Sequence, residues 1–240
     1  MKSVRFRVAG AISSIAYLSS IFLSSQGAIA AAKPWRILPK LPSRGAPGTN
    51  GSGASRPSCP SGPKPMVVLA STSSNWGETI DAHPTFWFYQ PYQGVAVQLD
   101  LRDENTQSVV FSSTYKVKGD AGIAKLTLPE TAPTLEVDKL YRWQVSFVCD
   151  ANSQQAYIAK GVIVRRKLSA SLNCKLQRAK PEERASIFAQ QGLWYNVLNE
   201  MATLRRLKPK DPDVQANWRI LLTDPEIQLD NWVSEPLIEQ

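Results

Sequence analysis

The sequence predicts an α+β fold in two parts, an antiparallel β-sandwich followed by a C-terminal α-helical hairpin region. In residues 140–150, LYRWQVSFVCD, apolar side chains such as Tyr141 and Trp143 alternate with polar ones. This is the period of a strand with one buried face. After Leu168 the apolar residues recur with helical spacing instead. We therefore assign the β part to residues 65–168 and the helical part to residues 169–240.

The β part contains seven short apolar runs separated by turn residues such as Gly119-Asp120. This spacing is typical of a sandwich. The expected strands are residues 66–70, 85–89, 95–102, 108–117, 123–128, 141–149 and 156–166. Tyr141 opens a strand six residues after Leu135. This arrangement resembles the tyrosine corner of immunoglobulin and fibronectin type III domains, so we expect a sandwich of that kind.

The helical part begins with Pro181-Glu182-Glu183, which has the proline and acids of a first helical turn. Gly192 is expected to break this helix before a second one that runs through Leu207, and Asp211 is expected to cap a third that ends at Leu222. The second helix resembles half of a tetratricopeptide repeat, with matching residues at Gly192, Trp194, Leu198, Met201, Leu204 and Pro209. One hairpin cannot cover its own apolar face, so we expect it to pack on the sandwich or on a partner.

Residues 1–30 have the layout of a secretory signal peptide: a basic start, an apolar stretch and small residues before a cleavage point after Ala30. The apolar stretch is shorter than the approximately 20 residues of a transmembrane helix and contains serines. We therefore expect an exported protein, periplasmic or extracellular, that has no transmembrane anchor after cleavage.

Residues 31–64 hold seven Pro, five Gly and five Ser, with six basic and no acidic residues. This composition predicts a disordered basic arm. The arm is either a tether to an anionic envelope polymer or a solvated spacer. The formal charge of +8 lies in the signal peptide and this arm, because residues 65–168 carry ten bases and ten acids. A nucleic-acid partner is not expected, since its basic footprint should lie on a folded domain.

The sequence predicts no catalytic, cofactor-binding or metal site. His83 is the only histidine, so no two-histidine metal motif exists, and no GxSxG motif accompanies it. We expect His83 to make a local hydrogen bond where a strand begins. The glycines of residues 45–53 lack the Lys-Ser/Thr ending of a phosphate-binding loop.

Two groups of carboxylates remain as weaker alternatives. Asp100, Asp103 and Glu104 either hold a calcium ion or form a solvated turn. Glu78, Asp81 and Asp100 are the candidate carboxylates of a glycoside hydrolase, whose two carboxyl groups must lie about 5 to 10 Å apart. Sequence spacing does not establish such a distance.

Four sequence blocks, in order, resemble a cyanobacterial exported family known as domain of unknown function 928. They are GAPGTNGSGASRPSCP, HPTFWFYQPY, LTLPETAPTLEVDKLYRWQVSFVCD and GLWYNVLNEMATLRRLKPKDP. The resemblance covers essentially all of the chain after the signal peptide. It implies a β domain with a helical tail and implies no activity. Cys174 departs from the family pattern.

Two of the three cysteines lie in blocks that carry this resemblance, and export would place them in an oxidising compartment. We therefore predict a Cys59–Cys149 disulfide. The alternative pairing is Cys149 with Cys174, which lies in the expected linker to the helices.

The strand at residues 85–89 is aromatic on both faces, because Phe86 and Phe88 alternate with Trp87 and Tyr89. A sandwich strand turns only one face to the core. Trp87 and Tyr89, together with Tyr92, therefore need another cover. This cover is either the helical tail or a ligand or partner.

These features together predict an exported, non-enzymatic interaction or scaffold protein of the cell envelope. Its expected partner is a protein, with a polysaccharide as a second candidate. The alternatives are a polysaccharide-binding sandwich and a glycoside hydrolase. The sequence does not indicate an oligomeric state.

Overall fold

The computed structural model describes residues 64–70, 75–91, 96–116, 120–148 and 156–238. Cys59, Tyr92 and Cys149, and with them the predicted signal peptide and the basic arm up to residue 63, lie outside the described residues. The strands are β1 Val67–Val68, β2 Trp76–Thr79, β3 Thr85–Gln90, β4 Ala96–Asp103, β5 Val109–Lys116, β6 Gly122–Thr127, β7 Leu140–Val148 and β8 Ala156–Arg165. The helices are α1 Ala170–Arg178, α2 Pro181–Gln190, α3 Trp194–Leu207 and α4 Pro212–Leu222, followed by a 3₁₀ turn, Asp230–Trp232.

The strands form two sheets, one of three strands in the order β1-β3-β6 and one of five in the order β2-β8-β7-β4-β5. Neighbouring strands are antiparallel except at one edge, where β2 runs parallel to β8. The predicted α+β class is confirmed. The prediction of a wholly antiparallel arrangement is wrong at this edge, since β2 pairs with a strand far along the chain.

Aromatic side chains fill the space between the two sheets. The ring of Phe86 on β3 lies 4.6 Å from that of Trp143 on β7, centroid to centroid. Phe88 and Phe147 make a similar contact at 6.4 Å. In the alternating pattern that predicted β7, the apolar residues therefore face this interior and the polar residues face the outer side of the sheet. At the start of β7, the Tyr141 hydroxyl accepts a hydrogen bond of 3.1 Å from the backbone N–H of Glu136.

Six predicted strands lie within two residues of their observed bounds, from β3 to β8. The first was predicted as residues 66–70 and is only the two-residue β1. Strand β2 was not predicted, because it has four residues, includes Gly77 and finds its partner at β8.

Helices α2, α3 and α4 confirm the predicted helical elements. Gly192 has a φ of 72° between α2 and α3, a conformation that favours glycine. Asp211 caps α4 through bonds from the N–H groups of Asp213 and Val214, at 2.9 and 3.2 Å. Among the described helices, none is long and apolar enough to cross a membrane.

Helix α1 occupies the segment that was expected to be a linker. Ser169 caps it, with its hydroxyl accepting from Leu172 N–H at 3.1 Å. Leu176 is its only buried residue. A helix with so little buried surface leaves a weak apolar period in the sequence, which explains why the prediction missed it.

Helix α3 packs on the sheets, which is the first of the two alternatives expected for the helical hairpin. Its residues Trp194, Val197 and Leu198 belong to the same hydrophobic core as Phe86 and Trp143 of the β domain. The sheets and the helical region therefore share one core.

The last described residues, 230–238, form a segment that we call the C-terminal strap. It lies along β6, where Ile123 N–H donates to Pro236 O at 2.7 Å and Ile238 N–H donates to Ile123 O at 2.9 Å. Gly122 permits this approach, because a Cβ there would lie 2.6 Å from Ile238 Cγ2. The strap thus extends the edge of the three-stranded sheet.

Candidate functional site

The N-terminal turn of α3 inserts two aromatic residues into the β domain. The indole N–H of Trp194 donates to Leu69 O at 2.9 Å. The Tyr195 hydroxyl accepts from Trp143 Nε1 at 2.6 Å and donates to Val162 O at 3.1 Å. Burial raises the pKa of Tyr195, with the bond from Trp143 opposing the effect. Both side chains are buried and bonded, as is typical of structural residues.

Asn196, the next residue, joins α3 to the segment after β2. Its side-chain oxygen accepts from Ile80 N–H at 3.0 Å and from the Thr79 hydroxyl at 3.2 Å. Its amide donates to Asp81 Oδ2 at 3.0 Å. Burial raises the pKa of Asp81, while the bond from Asn196 and the charge of Arg165 oppose the rise. Asp81 is therefore engaged in holding α3.

Trp87 and Tyr89, predicted as a surface that needs a cover, are only 1% and 0% exposed. The Tyr89 ring lies 6.5 Å from that of Trp232 in the strap, and the Arg206 guanidinium lies 5.5 Å from the centre of the Trp87 ring. The C-terminal region therefore covers this face of β3. An exposed aromatic platform at Trp87 and Tyr89 is not what the structure shows, because α3 and the strap pack against it.

The predicted disulfide lies outside the described residues, since neither Cys59 nor Cys149 is described. Cys174 lies on helix α1, where it is exposed and free. The alternative pairing of Cys149 with Cys174 likewise includes a residue outside the described part of the chain.

The carboxylates weighed for calcium each have a partner of their own. Asp100 accepts from Gln98 Nε2 and the Ser112 hydroxyl, at 2.9 and 2.6 Å. Asp103 accepts from the N–H of Thr106 and pairs with Lys139 at 3.0 Å, and its pKa is lowered to about 2. Glu104 pairs with Arg142. In the described part of the chain, no three His, Cys, Asp or Glu side chains are placed to hold a metal ion.

The carboxylates weighed for hydrolysis are likewise engaged separately. Glu78 pairs with Arg166 at 2.8 Å, whereas Asp81 bonds to Asn196. His83 Nε2 lies 3.1 Å from Ala132 O, so this nitrogen carries the proton and donates. The predicted bond of His83 was expected to be local, but its partner is 49 residues away. The loop before β7 returns to the start of β3 and supplies this carbonyl.

A cavity of about 760 Å³ lies where the end of α3, helix α4 and the strap meet. Three arginines line it: Arg205 and Arg206 of α3 and Arg219 of α4. No acidic residue is found among the described residues of its lining. The volume falls within the range of about 300 to 1,000 Å³ that is usual for ligand pockets.

Arg205 is only partly satisfied by its surroundings. Its guanidinium lies 5.0 Å from the centre of the Trp218 ring, a cation–π contact. Its buried Nη1 has no hydrogen-bond partner among the described residues. Burial lowers the pKa of Arg205, and the charge of Glu235 opposes this change. Arginine nevertheless stays protonated in proteins, so Arg205 places a positive charge at the cavity wall.

Arg206 forms part of the cavity frame. It donates to Ile238 O at 2.7 Å and stacks over Trp87, so it connects α3 to the strap and to β3. Its Nε, like Nε1 of Trp87, has no partner within the described chain. Arg206 therefore connects the predicted aromatic strand to the cavity: Arg206 lines the cavity, and Trp87 lies against Arg206 outside the lining.

The sequence analysis did not identify this cavity. Arg205 and Arg206 occupy the last turn of α3, where basic residues are expected to interact with the helix dipole. Only the folding of α4 and the strap around them makes a cavity. An available signal was the LRRL run, which places two arginines beside apolar positions of an amphipathic helix.

The fold and the cavity define an α+β protein with an arginine-lined cavity. Residues 51–237 match the family described as Domain of Unknown Function (DUF928), and the chain belongs to this family.

No curated protein matches the chain. Among solved structures, one match is Bifidobacterium dentium β-glucuronidase complexed with coumarin-3-O-glucuronide. It has 11% sequence identity and a TM-score of 0.28, and the match covers 61% of this chain and 32% of that chain. The chain thus spans about a third of that enzyme, and a likeness of this size carries no argument about fold or activity.

Proposed function

We propose that the protein is an exported, non-enzymatic interaction protein of the cell envelope, which holds an anionic group of its partner in the arginine-lined cavity. The observation that supports this proposal is the composition of the lining. Three arginines face the cavity, and its described lining contains no acid to neutralise them. An anion is the ligand that such a site favours, because charge-assisted bonds to guanidinium groups are strong and directional.

The lining also supports binding rather than turnover. General acid–base catalysis uses groups whose pKa lies near the working pH, most often His, Asp, Glu, Lys or Cys. The described lining residues include none of these, and arginine stays protonated at ordinary pH. The cavity therefore supplies charge and shape.

We further propose that the β domain is immunoglobulin-like. The strand orders β1-β3-β6 and β8-β7-β4-β5 correspond to the strand orders A-B-E and G-F-C-C′ of such domains. The bond from Glu136 N–H to the Tyr141 hydroxyl supports a tyrosine corner at the start of β7. We also propose that the α2–α3 hairpin is tetratricopeptide-like, because the spacing of its sequence matches that repeat.

Export is supported by the signal-peptide layout of residues 1–30, and the basic arm suits an anionic envelope. The sequence blocks point to a cyanobacterial envelope. A polysaccharide-binding module and a glycoside hydrolase remain as outcomes of the test rather than as parallel proposals.

A binding experiment with envelope extract tests the proposal. Purified wild-type protein is compared with an Arg205→Gln/Arg219→Gln variant, with Arg178→Gln as the matched control, because Arg178 is an exposed arginine on α1 outside the cavity. We expect wild type and Arg178→Gln to retain the same envelope component, and the double variant to lose it. Equal retention by all three proteins would refute the assignment to the cavity. Release of reducing sugars from envelope polysaccharide by the wild type would refute the non-enzymatic assignment.

A further inference from the structure

The cavity carries a positive charge that no neighbouring acid neutralises directly. The charge of Glu235 acts on Arg205, but the Glu235 carboxylate is already paired with Lys64. The Arg219 side chain makes no hydrogen bond or ion pair with the described residues. Arg219 is exposed, whereas Arg205 is partly buried. A partly buried arginine such as Arg205 is costly without a direct counter-ion, and an anion in the cavity would offset that cost.

Arg205 and Arg219 are therefore the residues that remain available for a ligand. Arg206 is engaged with Ile238 O and the Trp87 ring, so it positions the wall. The available pair comes from two different helices, α3 and α4, and both side chains line the same cavity. Two guanidinium groups on different helices suit a carboxylate, whose two oxygens can accept charge-assisted hydrogen bonds from both.

The rest of the lining is largely aliphatic. Five of its residues have apolar side chains without an aromatic ring: Pro209, Pro212, Ala216, Val233 and Leu237. Such walls suit aliphatic or proline side chains on either side of the anion. A small inorganic anion is hydrated on all sides and would gain nothing from them.

The aromatic residue of the lining does not offer a sugar-binding platform. Trp218 is only 1% exposed, its indole N–H donates to Val233 O at 3.0 Å, and the Arg205 guanidinium lies over its ring. A pyranose ring would need an open aromatic face to stack on. The lining therefore favours a peptide over an acidic sugar.

We propose that the cavity binds a peptide segment of a partner protein in which a Glu or Asp side chain lies between aliphatic or proline residues. The carboxylate lies between Arg205 and Arg219, and the flanking side chains contact the walls formed by the α3–α4 connection and the strap. This inference rests on the proposed function, since it names the chemistry of the anionic partner.

Two peptide libraries test it. One has acetylated and amidated heptapeptides with a fixed central Glu and random flanks, and the other has Gln at the same position. We expect wild-type protein to select peptides from the Glu library with Leu, Val, Ile or Pro beside the Glu. A selected peptide should bind about tenfold or more weakly when its Glu is replaced by Gln, because charge-assisted hydrogen bonds are lost.

Protein variants locate the binding site. We expect Arg205→Gln and Arg219→Gln each to weaken the selected peptide by about tenfold or more, and Arg178→Gln to leave its affinity unchanged. Circular dichroism and melting curves establish that each variant is folded. A conservative Arg205→Lys change should recover part of the affinity, since it restores charge without the planar fork.

Oligogalacturonate and inorganic phosphate serve as the competing probes. If either binds in an Arg205-dependent manner while no peptide is selected, the peptide assignment is overturned and the anion-binding function stands. If no probe and no peptide binds, both are overturned. Selection of apolar peptides equally from the Glu and Gln libraries would also contradict the inference.

Discussion

The two ends of helix α3 differ in whether their buried polar atoms have hydrogen-bond partners. At the N-terminal end, Trp194, Tyr195 and Asn196 are buried, and each makes side-chain hydrogen bonds to the β domain. At the C-terminal end, Arg205 and Arg206 each keep a buried nitrogen that has no partner in the described chain, and both line a cavity. The same helix thus anchors the fold at one end and presents charge at the other.

This difference separates structural from binding roles. A buried polar atom with a partner contributes to a unique fold, and removing the partner costs stability. A charge that faces a cavity without a partner is costly to the isolated protein and is compensated when a ligand arrives. We therefore expect changes at the first end to reduce stability and a change at Arg205 to reduce binding alone.

The largest effect is expected from Trp194→Ala at the anchoring end. The change removes a buried indole and its bond to Leu69 O, so it should lower the free energy of unfolding by about 3–5 kcal/mol. Urea unfolding followed by circular dichroism measures it. The Trp194→Phe variant keeps most of the ring and should lose only about 1–3 kcal/mol. A Trp194→Ala protein as stable as wild type would show that this end of α3 is not an anchor.

A smaller loss of stability is expected when a methyl group is added to the same packed contact. A Cβ at Gly77 would lie 2.9 Å from Tyr195 Cε2 and 3.1 Å from Trp194 Cβ. We expect Gly77→Ala to cost about 1–3 kcal/mol in urea unfolding, since neither ring has room to move. In a Tyr195→Ala background the cost of Gly77→Ala should shrink, because the closest atom is gone. An equal cost in both backgrounds would point to a backbone effect instead.

At the cavity end, Arg205→Gln is expected to change stability little. The variant loses a cation–π contact with Trp218 but also loses a partly buried charge that lacks a direct partner. The two effects oppose each other, so the free energy of unfolding should stay within about 1 kcal/mol of wild type. The measurement is urea unfolding without ligand, beside Arg178→Gln. A loss comparable to that of Trp194→Ala would make Arg205 a structural residue and remove the contrast between the two ends.

The smallest effect concerns the pH dependence of the anchoring end. Burial holds the pKa of Asp81 above its ordinary value, so the folded state binds the proton more tightly than the unfolded state. The protonated form therefore favours folding, and this contribution is lost as the pH rises from the unfolded pKa, near 4, to the raised folded value. Wild type should gain stability relative to Asp81→Asn when the pH is lowered through this interval. Parallel stability curves for the two proteins would contradict the raised pKa.

The sequence was informative where a local pattern and the tertiary environment agree. Strand β7 alternates between apolar and polar residues from Tyr141 to Phe147 because one face is in the interior, and Gly192 separates α2 from α3 because it adopts a positive φ. Strand β2 and helix α1 were missed for the opposite reason. The pairing of β2 is set by β8, and α1 buries only Leu176, so neither leaves a strong period in the sequence.

The candidate site was out of reach for a related reason. The two-sided aromatic strand was recognised, but its cover comes from Trp232 and Arg206, more than 100 residues away along the chain. The cavity combines side chains of α3, α4 and the strap, whose meeting depends on tertiary packing. The net charges of long sequence segments do not reveal that the fold brings three arginines together.

The strap has a consequence for the order in which the molecule folds. Lys64 donates to Asn231 O at 2.6 Å across 167 residues of chain and pairs with Glu235 across 171. Contacts between such distant residues form late, because loop-closure entropy must be overcome before they contribute. On the ribosome, β3 emerges long before the strap that covers Tyr89 exists. The cavity wall is consequently among the last parts to form, and a protein able to bind there has completed its folding.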